Sequence, residues 1–284
     1  MERSGRGAAV HSALPRSAEM NPPRFRRVAG GWVQAWERRH LLAWMLDAAR
    51  RPGPSLVGNH NLHSLALLRD EPAMAAFYRR CDAVFIDGMP VVALGLAQGH
   101  RLRRRHRHTV LDWFPELIGG CAALGLRWMH VGSPPGVAEL GAQAMADSGA
   151  VAALPEHRVL HGFFDPTPGG EDCSRVLSEI TDFAPQVLTV GMGMPRQERW
   201  LAACLNDLRG VGLVVTVGAV LEYHAGMQAM PPRLAGQLGL EWLWRLASSP
   251  NRLAHRYLVE PWTLLPTVAR ETFHRRGASG PAHR

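Results

Sequence analysis

The segment Val187-Leu-Thr-Val-Gly-Met-Gly-Met-Pro-Arg-Gln-Glu-Arg-Trp200 gathers the residues most suited to chemistry. Gly191 and Gly193 permit a tight turn and close approach of a ligand to the backbone. Pro195 suits the first turn of a helix, where its missing N–H leaves no bond unmade. Arg196, Gln197 and Glu198 then crowd that turn. A strand that runs into a helix N-terminus is where open α/β sheets bind ligands, phosphates among them.

Other polar groups follow apolar runs in the same way. Asp87 closes Ala83-Val-Phe-Ile86 and precedes Gly88-Met-Pro90. A carboxylate there can serve as a general base on a hydroxyl, or as a helix N-cap. Asn59 and Asn61 close the first such run and offer both donors and acceptors, suited to sugar hydroxyls or a uracil edge; turn and cap chemistry is the competing reading. His60 and His63 have no evident carboxylate partner, and no metal is expected at them. Arg101-Leu-Arg-Arg-Arg-His-Arg-His108 is the densest basic run, fit for a diphosphate or for plain solvation. Asp112 follows it as a candidate helix cap. His161-Gly-Phe-Phe-Asp165 and Gly218-Ala-Val-Leu-Glu-Tyr-His-Ala-Gly226 add Gly218, Glu222 and His224 to the same sheet edge.

These positions need a scaffold of alternating strands and helices. Short apolar runs predict strands over 55–58, 83–86, 127–131, 158–160, 187–190 and 213–217. Helical stretches lie between them, over 62–69, 72–80, 90–97, 111–124, 136–148, 171–183 and 196–208. The class is α/β: a Rossmann-like, mainly parallel sheet with helices on both faces and a C-terminal helical appendage. Residues 1–27 read as a disordered extension, and 28–226 as the α/β domain, opened by a helix over 32–49. Residues 227–275 read as the appendage, with a helix over 234–246, and 276–284 as a disordered tail.

The 284 residues suffice for one large core, and the net charge is +8 with no lysine at all. An arginine-only basic set fits either a solvated surface or an anionic partner. No apolar run approaches the roughly 20 residues needed to span a bilayer. Scattered Cys81, Cys121, Cys173 and Cys204 lack metal-site spacing and read as buried thiols of a reduced, cytoplasmic protein. Two other classes compete. A nicotinamide oxidoreductase wants an early G-x-G-x-x-G, whereas the GxG here is late and lacks its third glycine. A nucleic-acid binder would explain the charge, but no recognition module is present and the basic run lacks interleaved aromatics.

Taken together, the chain resembles the WecG/TagA/CpsF family of glycosyltransferases from about Ser55 to Tyr257. Gly191-Met-Gly-Met-Pro-Arg-Gln-Glu198 and Gly239-Leu-Glu-Trp-Leu-Trp-Arg-Leu246 carry the likeness most strongly. Pro250 and Arg256-Tyr-Leu258 follow them. Asp87-Gly-Met-Pro90, Gly162-Phe-Phe-Asp165 and 218–226 fall in the right order. The resemblance implies an inverting transferase that moves a sugar from a UDP donor, often N-acetylmannosamine or a uronic acid. The acceptor it implies is a saccharide on a membrane-borne polyprenyl diphosphate, with no metal or other cofactor. Asp87 matches the family's proposed base, and Gln197 the residue that contacts the sugar or acceptor. Asn59, Asn61 and Gly88 fall in matching motifs, and an expected arginine is best matched by Arg107, with Arg105 the alternative. Three departures stand out: Val110 replaces a glycine two residues before Asp112, Glu222 replaces an aspartate, and Ala229-Met-Pro231 lacks an arginine.

In this chemistry Asp87 deprotonates the acceptor hydroxyl, and Arg107 and the Gly191–Gly193 turn stabilise the leaving diphosphate. Arg and Trp interleaved in the appendage suit an anionic inner membrane surface, with Arg252 or Arg256 brought over the site. A peripheral location on the inner face of the cell membrane follows. Self-association stays open, and no nucleic-acid partner is expected.

Overall fold

A computed structural model describes residues 21–230, 232, 241–248 and 254–278. The chain opens with an antiparallel hairpin, β1 (Phe25–Val28) and β2 (Gly31–Gln34), turned at Ala29-Gly30. Helix α1 follows (Arg38–Ala48). Then the alternation begins: β3 (Ser55–His60), α2 (Leu62–Asp70), α3 (Pro72–Arg79), β4 (Ala83–Ile86) and α4 (Met89–Ala97). Next come α5 (Val110–Leu124), β5 (Trp128–Gly132), α6 (Val137–Asp147) and β6 (His157–Leu160). The core ends with α7 (Glu171–Phe183), β7 (Val187–Gly191), α8 (Arg196–Cys204), β8 (Leu213–Thr216) and α9 (Val220–His224). The C-terminal segment is helical: α10 (Glu241–Ser248), a π-helical turn (His255–Val259), α11 (Glu260–Thr263) and α12 (Leu265–Ala278).

Strands β3 to β8 form one six-stranded sheet in the order β4-β3-β8-β7-β5-β6. Every pairing in it is parallel. The sequence-based expectation of a Rossmann-like sheet is met, with all six strands in place. The central strands are buried along their length because helices cover both faces, which is why they read as unbroken apolar runs. One core layer sets Leu41, Met45, Trp113, Phe114 and Trp128 on one face; Met74, Phe77, Val176, Trp200 and Leu201 fill the other. A third cluster joins the hairpin to α2, α4 and Leu264 of the C-terminal segment.

Close strand packing explains two glycines. A Cβ on Gly132 would lie 2.6 Å from the backbone of Gly191, and one on Gly191 would lie 2.5 Å from the Gly218 carbonyl oxygen. The carboxyl ends of β5, β7 and β8 therefore meet backbone to backbone.

The N-terminal part differs from the sequence-based reading. Residues 25–27, expected in the extension, form strand β1, and the helix expected over 32–49 begins only at Arg38. Trp32 and Trp36 suggest helical spacing, yet Gly30 and Gly31 turn the chain and β2 lies beside β4. The Gln34 side chain accepts from Val84 N at 2.9 Å and from Trp36 Nε1 at 3.1 Å. The first of these bonds spans 50 residues of sequence, beyond the reach of local patterning. The tail boundary at 276 also shifts, since α12 continues to Ala278. The helix expected over 234–246 is present from Glu241; residues 234–240 lie outside the described residues. The four cysteines are buried free thiols.

Candidate active site

A cavity of about 410 Å³ opens across the carboxyl ends of the four neighbouring strands β4, β3, β8 and β7. Ligand crevices of open α/β sheets lie at this edge. Asn59, Asn61, Asp87, Gly193, Gln197 and Gly218, all singled out in the sequence, line it.

Asp87 follows the buried strand β4, and its backbone N–H bonds the His60 carbonyl at 2.9 Å. It does not cap the next helix: the N-cap of α4 is Gly88, whose φ of 114° suits glycine. Asn59 Nδ2 donates to Asp87 Oδ2 at 3.3 Å, steadying the carboxylate from the adjacent strand. The Asn59 carbonyl accepts from the buried Tyr78 hydroxyl at 2.7 Å. Asn61 has two roles, because it lines the cavity and caps α2. Its side chain accepts from Ser64 N at 3.0 Å, and Ser64 Oγ accepts from Asn61 N at 3.0 Å.

After β7 the chain turns at Gly193, with φ of 78°, and enters α8 through a cis Met194-Pro195 bond. The three polar residues of that first turn take separate paths. Arg196 leaves the cavity: it donates to the Phe164 carbonyl and lies over the Phe164 ring at 5.9 Å. Gln197 lines the cavity while almost fully buried. Glu198 lies behind it, wholly buried, and accepts from Gln197 Nε2 at 2.7 Å. Burial pushes the Glu198 carboxyl up to about 7, against the opposing pull of the Gln197 bond.

Several expected ligand contacts are placed elsewhere. Arg105 is exposed and pairs with Glu37 at 3.1 Å. Arg107 bridges Ile86, the residue before Asp87, through its backbone, and its guanidinium lies 3.9 Å from Asp112; it is not among the lining residues. Asp112 caps α5, accepting from Thr109 N at 3.0 Å. Gly191 serves strand packing, as described. Glu222 stands one residue back from the wall and accepts from Gln228 Nε2 at 2.8 Å; Gln228 lines the cavity in its place. Arg252 lies outside the described residues, as does the side chain of Arg256.

The cavity also has a wall that sequence reasoning missed. His63 Nδ1 lies 2.8 and 3.0 Å from the two oxygens of Glu260, and both residues line the cavity with His255. His63 thus has the carboxylate partner that the sequence did not reveal, 197 residues downstream. Thr109, Met194 and Tyr223 also line the cavity. Only the polarity of the strand ends is visible in the sequence; contacts from the C-terminal segment carry no local signal.

Among the described residues no group of three or more His, Cys, Asp or Glu side chains converges as a metal site. No described helix is long and apolar enough to cross a membrane. A paired carboxylate, amide side chains and a helix N-terminus round one cavity suit recognition of a polyhydroxylated substrate and activation of one of its hydroxyls. The model of the glycosyl transferase WecG/TagA/CpsF family matches residues 26–278, from inside the hairpin to the last described helix. The chain therefore belongs to the WecG/TagA/CpsF family of glycosyltransferases.

Proposed function

We propose that the enzyme transfers a hexose, N-acetylmannosamine or a uronic acid among the candidates, from UDP to a saccharide carried on polyprenyl diphosphate, with inversion. The observation that carries the reading is Asp87, held by Asn59 in a cavity that Gln197 also lines. Asp87 takes the proton from the acceptor hydroxyl as that oxygen attacks the anomeric carbon. The C1–O bond to UDP breaks on the opposite face, and UDP leaves with the electron pair. Gly193 and Met194, at the entrance to α8, offer backbone to the diphosphate, where the helix N-terminus favours negative charge. Arg107 supplies positive charge beside β4.

The membrane-borne acceptor brings the enzyme to the inner face of the cell membrane. Support for this lies in the C-terminal segment, where Trp244, Leu258, Trp262, Leu265 and Phe273 are exposed. Indoles at headgroup level and arginines at lipid phosphates give such a segment its affinity.

The test is Asp87→Asn. The folded variant should bind UDP as the native protein does and lose at least about 100-fold in transfer, the usual scale of general-base catalysis. Transfer within a fewfold of native would remove Asp87 as the base. Absence of UDP binding in the native protein, measured by calorimetry, would remove the donor assignment.

A further inference from the structure

We infer that Glu198 is a positioning residue that orients the Gln197 amide, so that its carbonyl oxygen serves the cavity and accepts a hydrogen bond from a hydroxyl or N–H of the transferred sugar. The inference deepens the glycosyl-transfer reading and rests on it for the identity of the ligand.

The geometry restricts the amide to one orientation. Gln197 lines the cavity with almost no surface of its own exposed. Its Nε2 donates to Glu198 Oε1 at 2.7 Å. Its Oε1 has no hydrogen-bond partner among the described residues. A buried acceptor left unpaired carries a penalty unless a ligand supplies the donor. A carboxylate only accepts, so an ionised Glu198 can face the amide's NH2 end and not its oxygen. The amide is thereby fixed with its acceptor free for substrate. Glu198 itself is sealed in: it is fully buried, and its Oε2 also lacks a partner among the described residues.

Protonation removes the constraint. A protonated Glu198 can donate to the Gln197 oxygen and allow the amide to turn, which offers NH2 to the cavity in place of the acceptor. The groups facing Glu198 from neighbouring elements are Tyr78 and Cys81, both held neutral by burial, with the Gln197 amide on its own helix. With no fixed charge among them, Glu198 itself controls the change. Burial places its titration near 7, inside the physiological range.

Two measurements on the full chain test this. In the first, the side-chain amide of Gln197 is followed by ¹⁵N NMR from pH 5.5 to 8.5 without substrate. It is assigned by its loss in Gln197→Ala. The native signal should titrate with a midpoint near 7, and the signal in Glu198→Gln should not titrate. In the second, donor KM is measured with UDP-N-acetylmannosamine as the probe. Glu198→Gln should raise KM about tenfold at pH 8, the scale of one directed hydrogen bond. Native KM should rise towards the variant's value as pH falls through 7, with the variant's KM flat. A Gln197 signal indifferent to pH would overturn the pairing, whatever the enzyme's substrate. A titrating signal with equal native and variant KM values would overturn the role in sugar binding. Failure of the glycosyl-transfer reading is separate, because it would show as absent UDP binding with the NMR titration intact.

Discussion

Glu198→Gln should stabilise the fold, and increasingly so as pH rises. An ordinary glutamate titrates at 4.5, whereas burial moves Glu198 to about 7. Between those values the folded chain retains a proton that the unfolded chain has released. Stability therefore falls as pH rises through this window. Each tenfold difference in proton affinity between the two states is worth about 1.4 kcal/mol, so the native protein forfeits about 1.4 kcal/mol at pH 5.5 and about 3 kcal/mol by pH 8. Glutamine keeps the shape and can pair with either end of the Gln197 amide, but carries no charge to bury. The variant's advantage in urea unfolding should thus grow by about 2 kcal/mol between pH 5.5 and pH 8. Comparing variant with native cancels the titration of every other group. An advantage that is constant or shrinking over this range would refute the reasoning. Together with the expected rise in KM, the result would mark Glu198 as a residue kept at a cost in stability.

Other outcomes follow from the same structure. Burial lowers His60 and His130 from 6.5 to about 3. The unfolded chain then binds more protons below pH 6.5, so stability is lost on acidification, and His130→Gln should remove about 1.4 kcal/mol per pH unit from that slope in urea titrations. Gly191→Ala would drive a Cβ to within 2.5 Å of the Gly218 carbonyl and 2.8 Å of the His130 ring. It should cost at least about 2 kcal/mol in chemical denaturation and impair UDP binding; a neutral result would show that the strand ends are free to part. His63→Ala should loosen the C-terminal wall, giving faster proteolysis within 254–278 while the core melting temperature moves by only a few degrees; an unchanged cleavage rate would exclude the pair as an anchor.

The sheet was legible because each strand is short, apolar and bounded by turn residues. Val187 to Val190 announces itself without reference to the rest of the chain. The hairpin was not legible, because Gln34 acts on Val84 and the aromatic spacing of Trp32 and Trp36 imitates a helix. In the site, residues at strand ends fall together as expected, since parallel topology carries every such end to one edge. Asn59, Asp87 and Gly218 illustrate this. Side-chain direction was the part that sequence concealed. Adjacent Arg196, Gln197 and Glu198 diverge to a loop carbonyl, the cavity and the interior. Glu222 and Asp112 turn to partners three to six residues away. His63 and Glu260 required the tertiary fold.

The hairpin also determines how the protein would fail. Strand β4, which leads into Asp87, is the last strand on its side of the sheet, and Gln34 meets it with a side-chain oxygen where another strand's carbonyl would fit. The opposite edge, β6, is guarded differently, by Arg158 paired with Glu179 at 2.6 Å. Charge deters a neighbouring strand, whereas β4 is apolar throughout and relies on being covered. A chain trimmed past Gln34 would expose the Val84 end of that edge to copies of itself, while the Ile86 end keeps its bridge to Arg107. Its first defect would be self-association through β4, with soluble yield declining before catalysis does.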